Sequence, residues 1–231
     1  MRNDNKGCRK MDKDKIIIAL DVNTIKEEKR LLDILSPHVK IFKIGMELFY
    51  SYSAKAVELV KKYDREVFLD LKFHDIPNTV KNASKVATKL GVFMFNVHAS
   101  GGSDMMKAAI EGAEEESERQ GIDRPRILGV TVLTSIESSQ DQVLNLARSA
   151  KESGIDGVVA SAQEAKVIRK ELGEDFLIVT PGIRPEGTGK QDQKRTATPK
   201  QAFQTGADYI VIGRPVTKAK NPLKTLQAIN I

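Results

Sequence analysis

From Ile16 onward, short apolar runs alternate with stretches whose apolar residues recur at helical spacing. The runs are Ile16–Leu20, Ile41–Ile44, Val67–Leu71, Phe93–Val97, Ile127–Val132, Gly157–Ala160, Leu177–Val179 and Tyr209–Ile212. Short, nearly continuous apolar runs fit strands covered on both faces, as in parallel sheets flanked by helices. Between them the spacing predicts helices, among them Thr24–Leu35, Thr79–Leu90, Gln140–Ser153, Ala162–Leu172 and Pro199–Thr205. Eight strand–helix alternations argue for a parallel sheet with crossover helices.

A weak internal echo supports a repeated unit. Leu90-Gly91-Val92, Ser153-Gly154-Ile155 and Thr205-Gly206-Ala207 each place Gly between a helix and the next strand, where a left-handed residue ends the helix. An open doubly wound sheet and a closed barrel both accommodate the alternation. No G-x-G-x-x-G opens a helix, which removes the usual dinucleotide reading of the open sheet. The expected fold is a single (β/α)₈ TIM barrel with its active site at the C-terminal ends of the strands.

The length of 231 residues suits one such barrel and leaves no room for a second domain of ordinary size. Residues 1–14 are polar and read as a flexible N-terminal extension, with Met11 as a candidate start. Residues 15–231 form the expected barrel domain. The single cysteine, Cys8, cannot make an internal disulfide, and no segment has signal-peptide or membrane-span anatomy. The expectation is a soluble, cytoplasmic protein. The net charge of +6 is spread rather than clustered, around an acidic stretch at Glu111–Glu118, and aromatics are 5% of residues. That pattern argues against a nucleic-acid groove. It is compatible both with attraction of a small anion and with an ordinary solvated surface.

Charged residues at strand ends change the picture. In a barrel, alternate side chains point inward and chemistry sits where strands end. Asp21 is in phase with Ile17 and Ala19, and Lys43 with Ile41. Asp70 and Lys72 share a face, as do Asn96 and His98. One charge at a strand end is usually the start of a solvated loop. Three neighbouring strands that place Asp21, Lys43, Asp70 and Lys72 at one mouth build an alternating acid–base cluster, catalytic or structural, whose members perturb each other. Asp75, before Ile76-Pro77, reads equally as a helix N-cap or as a functional acid. His98 is assigned a supporting role.

The last two strands are followed by Thr180-Pro181-Gly182-Ile183-Arg184 and Gly213-Arg214-Pro215. Barrels commonly hold phosphate in the loops after strands seven and eight. There Gly213 would admit backbone N–H groups and Arg214 would offer a bidentate fork. The polar stretch 184–198 reads either as a surface loop or as a lid over that site.

The segments IIALD, FKIGMELFY, FLDLKFHDIPNTV, NVHASGG, GVTVLTS, GVVASAQEA, VTPGIR, DQKRTATP and ADYIVIGRPVTKA occur in this order. Together they resemble the bacterial orotidine 5′-phosphate decarboxylase family over nearly everything from Ile16 onward. The block from Asp70 to Thr79 is the most specific, since related barrel enzymes share only its D-x-K-x-x-D part. The resemblance implies decarboxylation of orotidine 5′-monophosphate to uridine 5′-monophosphate, without cofactor or metal, by a homodimer with shared sites. It gives Asp21 and Lys43 to the ribose hydroxyls, Lys43 and Asp75 also to the catalytic charge network, Asp70 to the side of the substrate carboxylate and Lys72 to proton delivery. Asp75 and Thr79 would reach into the partner's site, Thr134 would meet the pyrimidine edge, and Arg184, Gln193, Gly213 and Arg214 would hold phosphate or fasten the lid. The connection between Ser135 and Glu152 is shorter than in the bacterial relatives. No nucleic acid or membrane partner is implied. Two alternatives stay open at this stage. One is a metal-dependent keto-sugar-phosphate decarboxylase or synthase of the same barrel group; the Ile76-Pro77-x-Thr79 continuation argues against it. The other is a non-catalytic phosphate-binding barrel.

Overall fold

A computed structural model of the chain describes residues 13–136, 139–185 and 196–229. Strands β1 (Ile16–Ala19), β2 (Ile41–Gly45), β3 (Glu66–Phe73), β4 (Met94–His98), β5 (Arg126–Val130), β6 (Gly157–Val159), β7 (Leu177–Thr180) and β8 (Tyr209–Ile212) pair in parallel, in chain order. The sheet closes through β1 and β8, with Ile17 opposite Val211. The expected barrel is therefore present, with strand positions displaced only at their ends. The apolar run to Val132, for instance, leaves the sheet after Val130.

Helices fill the connections: α1 (Ile25–Leu35), α2 (Met46–Tyr52), α3 (Ala54–Lys62), α4 (Pro77–Lys89), α5 (Ser103–Gln120), α6 (Gln140–Glu152), α7 (Ala162–Leu172), α8 (Pro199–Gln204), α9 (Arg214–Thr217) and α10 (Pro222–Gln227). Thr24 caps α1 by accepting from the Glu27 N–H, which satisfies one of the donors a helix start leaves open. Thr198 and Gln201 exchange side-chain and backbone bonds of 3.2 and 2.9 Å at the start of α8. Gly91, Gly154 and Gly206 all have positive φ, as the repeated helix-to-strand turn requires. Asp75 does not cap α4. The cap residue is Ile76, Pro77 opens the helix, and the Asp75 carboxylate accepts its neighbour's N–H at 2.7 Å. The cap reading fails because the chain is still extended at Ile76.

The period of two along each strand divides the core into two layers. Ile17, Ala19, Ile41, Phe68, Met94, Leu128, Val179 and Val211 fill the barrel interior. Their neighbours in sequence, such as Ile16, Ile18, Phe42, Leu69, Phe95 and Ile212, face the helices. Each fully buried side chain of this size contributes about 1.5–3 kcal/mol. The lower rim is stitched by a repeated device. Asp156 accepts the Ile127 N–H and pairs with Arg124, and Asp208 accepts the Ile178 N–H and pairs with Arg169. Charges at that end bind strands together; those at the other end face a cavity.

Candidate active site

At the C-terminal rim a cavity of about 970 Å³, counting its open mouth, is lined by Asp21, Lys43, Asp70, Lys72, Thr134, Arg184, Gly213 and Arg214. Its apolar wall includes Val130, Val159, Ala160, Pro181 and Ile183. Eight of the residues singled out in the sequence thus converge. Asp75 and Thr79 are exposed and are not part of this lining. Gln193 lies outside the described residues, as do residues 1–12 of the expected extension and the middle of the expected lid. Both ends of that lid segment are fixed at the mouth: Ile183 bridges Ala197, and the Arg184 N–H donates to the Ala197 carbonyl at 2.9 Å.

Four charges form one continuous run. Lys43 Nζ donates to Asp21 Oδ1 at 2.9 Å and stands 3.2 Å from Asp70 Oδ2, while Lys72 Nζ donates to Asp70 Oδ1 at 2.7 Å. The backbone explains the convergence. Ala19 is in register with Lys43 on β2, and Gly45 with Asp70 on β3. A bond from the Leu20 N–H to the Lys43 carbonyl extends the ladder one residue beyond β1, which carries Asp21 into the mouth. Gly45 leaves room for the pair, since a Cβ there would come within 3.2 Å of Lys43 Nζ.

Burial opposes charge at both inner members, and pairing prevails. Desolvation acts to lower the Lys43 pKa, yet the Asp70 and Asp21 carboxylates outweigh it and hold it above the usual lysine value. Desolvation likewise acts to raise Asp70, and the two ammonium groups, with Lys72 and Asn96 as hydrogen-bond donors, bring it down to about 2. Lys43 and Asp70 are therefore both held in their charged forms at neutral pH.

Lys72 reaches this array through an irregular backbone. Its φ is +54°, a left-handed conformation that costs a non-glycine residue about 1–2 kcal/mol. The pairing of β3 with β4 shifts between Leu69 and Phe73. Strict alternation correctly brings Lys72 to the same side as Asp70, but the chain gets there through a bulge, a device common beside active sites. Asn96 sits opposite the bulge, buried to 1% exposure. Its in-phase position was visible in the sequence, but a neutral amide gave no charge signal, so it was missed as a site residue. His98, half-buried, has its ring centroid 5.2 Å from that of His74, with the two rings tilted by 40°. Burial, then the neighbouring His74 and Lys72, hold its pKa below the usual histidine value despite Asp70. That leaves His98 neutral at neutral pH.

Comparison with known proteins gives a consistent picture. The family model described as "Orotidine 5'-phosphate decarboxylase / HUMPS family" matches residues 14–229. An orotidine 5′-phosphate decarboxylase of Geotalea daltonii is 48% identical over 226 residues, covering 93% of this chain and 94% of that protein. One from Syntrophomonas wolfei is 49% identical over 224 residues, covering 91% and 94%. Among solved structures, orotidine 5′-phosphate decarboxylase from Lactobacillus acidophilus has a TM-score of 0.81 at 41% identity, covering 93% of this chain and 96% of that one.

Proposed function

The chain belongs to the orotidine 5′-phosphate decarboxylase / HUMPS family, and from that premise we propose that it is a carboxy-lyase converting orotidine 5′-monophosphate to uridine 5′-monophosphate, the closing step of pyrimidine nucleotide synthesis. The observation that carries the reading is the unbroken run Asp21–Lys43–Asp70–Lys72 in the barrel mouth.

Loss of carbon dioxide breaks the bond between C6 and the carboxylate and leaves its electron pair in the plane of the ring, outside the π system. Electrostatic stabilisation by a preorganised site is the physical answer to such a localised charge. The requirement lies toward the upper part of the about 8–23 kcal/mol that enzymes commonly supply. In this reading the Lys72 ammonium faces the charge as it develops and then transfers a proton from Nζ to C6. The resulting neutral amine regains its proton from solvent. Asp70 stands beside the departing carboxylate, repels it and holds Lys72 in place. Lys43 and Asp21 take the ribose hydroxyls. Thr134 meets the pyrimidine edge. Arg184, Gly213 and Arg214, with Gln193 from the lid, take the phosphate, whose binding energy closes the lid far from the reacting carbon.

Asp75 completes the site in this reading, with Thr79, from the partner subunit of a cytoplasmic homodimer. Both are exposed on the isolated chain, and Ile76 between them is 67% exposed, an apolar side chain that a second copy would cover. Mixing inactive Asp70→Ala subunits with inactive Asp75→Ala subunits is expected to restore part of the activity, because some mixed dimers carry one intact site. Recovery no greater than the sum of the separate variants would count against sharing.

The reaction itself is tested by following orotidine 5′-monophosphate absorbance with and without excess chelator. Equal rates are expected. Dependence on a divalent ion together with turnover of a keto-sugar phosphate would overturn the reading in favour of the metal-dependent branch of the barrel group. Tight nucleotide binding without carbon dioxide release would favour a binding protein.

A further inference from the structure

We propose that Asn96 is a positioning residue for the decarboxylation, a brace that locks the Asp70 carboxylate to the main chain of Lys72; the proposal rests on the functional reading above. The Asn96 amide spans the bulge with both ends used. Its Nδ2 donates to Asp70 Oδ1 at 2.7 Å, and its Oδ1 accepts the Lys72 backbone N–H at 2.8 Å.

The second bond follows from the sheet. In regular pairing, the backbone N–H of a β3 residue finds a carbonyl on a neighbouring strand. The register shift between Leu69 and Phe73 disturbs that pairing beside β4. The Asn96 carbonyl oxygen supplies the missing acceptor for Lys72, whose left-handed φ of +54° would otherwise leave an unsupported strained residue. The first bond then ties the same amide to the acid that Lys72 itself contacts. Asp70 Oδ1 thus receives two donors, Lys72 Nζ and Asn96 Nδ2, and Oδ2 faces Lys43. Three donors around the carboxylate hold it in place relative to the Lys72 ammonium before substrate arrives.

Only an amide makes both bonds at neutral pH. An ionised carboxylate accepts from Lys72 but cannot donate to Asp70 and repels it; a protonated carboxyl does both. The chemistry therefore distinguishes positioning from packing. Asn96 is absent from the cavity lining, so it acts through Asp70 and Lys72 rather than on substrate.

The test compares Asn96→Ala and Asn96→Asp with the unaltered chain, by carbon dioxide release from orotidine 5′-monophosphate between about pH 5 and 9. For Asn96→Ala, kcat is expected to fall about a hundredfold with KM within a few-fold, because preorganisation is lost while phosphate and ribose contacts remain. For Asn96→Asp, a similar loss is expected at alkaline pH, and activity relative to the unaltered chain recovers as pH falls and the new carboxyl takes up a proton. The isosteric variant keeps the test valid where Asn96→Ala fails to fold. An Asn96→Asp profile parallel to that of the unaltered chain, or an Asn96→Ala effect confined to KM, would overturn the proposal. Failure of the unaltered chain to release carbon dioxide would instead sink the functional reading and, with it, the role given to Asn96; loss of the proposal alone shows as an active unaltered chain whose Asn96 variants miss the expected profiles.

Discussion

Asp70 in the barrel mouth and Glu28 on the buried stripe of α1 are both largely withdrawn from solvent, in opposite chemical settings. Asp70 is surrounded by Lys43, Lys72 and Asn96, and remains ionised with its pKa near 2. Glu28 is 0% exposed, and neither carboxylate oxygen has a hydrogen-bond partner among the described residues. Burial alone pushes its pKa up to about 8, so it is held neutral at neutral pH. Burial therefore says little about function until the partners are counted. A carboxylate kept charged against desolvation requires an organised environment, and such environments gather at sites of chemistry. A carboxyl that yields its charge is what an uncompensated position in a core produces.

The sharpest way to break the contrast is to empty the Asp70 environment. Lys72→Ala removes both its hydrogen-bonding ammonium and the proposed proton donor. Turnover is expected to fall by about 10⁴-fold or more, while uridine 5′-monophosphate still binds, since general-acid and electrostatic contributions are lost together. A near-normal rate in steady-state assays would remove Lys72 from the mechanism.

Lys43→Met makes Asp70 more like Glu28. One of its two cations is gone, and desolvation, already the largest influence on it, meets less opposition. The expected result is a loss of about 10²–10³-fold in kcat/KM, with the acid limb of its pH profile moved to higher pH. The direction follows from the proton balance. A carboxyl whose folded pKa is depressed contributes stability above its ordinary value near 3.8, and that contribution is lost as pH falls toward 2. Raising the folded pKa brings that loss to a higher pH. An unmoved acid limb would show that Lys43 does not set the charge of Asp70.

How much of this was legible in the sequence depends on the kind of signal. Asp21, Lys43, Asp70 and Lys72 were found because a two-residue period and a strand end are local properties, and charge at that place is conspicuous. Asn96 obeys the same period but carries no charge. Its importance arises from the bulge in β3, which no residue pattern announces. Asp75 read equally as a cap or as a functional acid; α4 begins at Pro77, two residues before the expected Thr79, and the cap falls on Ile76. Glu28 carries a charge like its neighbours in IKEEKRLLDIL, yet it occupies the position three and four residues before Leu31 and Leu32 on the stripe that continues to Leu35. Its charge masked a periodicity that was present.

Glu28 gives the smallest and cleanest of the expected effects, one on stability alone. Below the ordinary glutamate value of 4.5, folded and unfolded chains both carry the Glu28 proton. Between 4.5 and about 8 the unfolded chain releases it and the folded chain keeps it, so this group's contribution to stability declines as pH rises, then levels off. Each pH unit across that window corresponds to about 1.4 kcal/mol, which sums to on the order of 3–5 kcal/mol. Glu28→Gln removes the titration while preserving the shape of the side chain. Its melting temperature relative to the unaltered chain is expected to be close at pH 4 and higher by several degrees at pH 8, with activity unchanged because α1 does not line the cavity. A difference in melting temperature that is the same at both pH values would mean that Glu28 is not neutral in the folded protein. The two carboxylates would then differ in their neighbours but not in their charge.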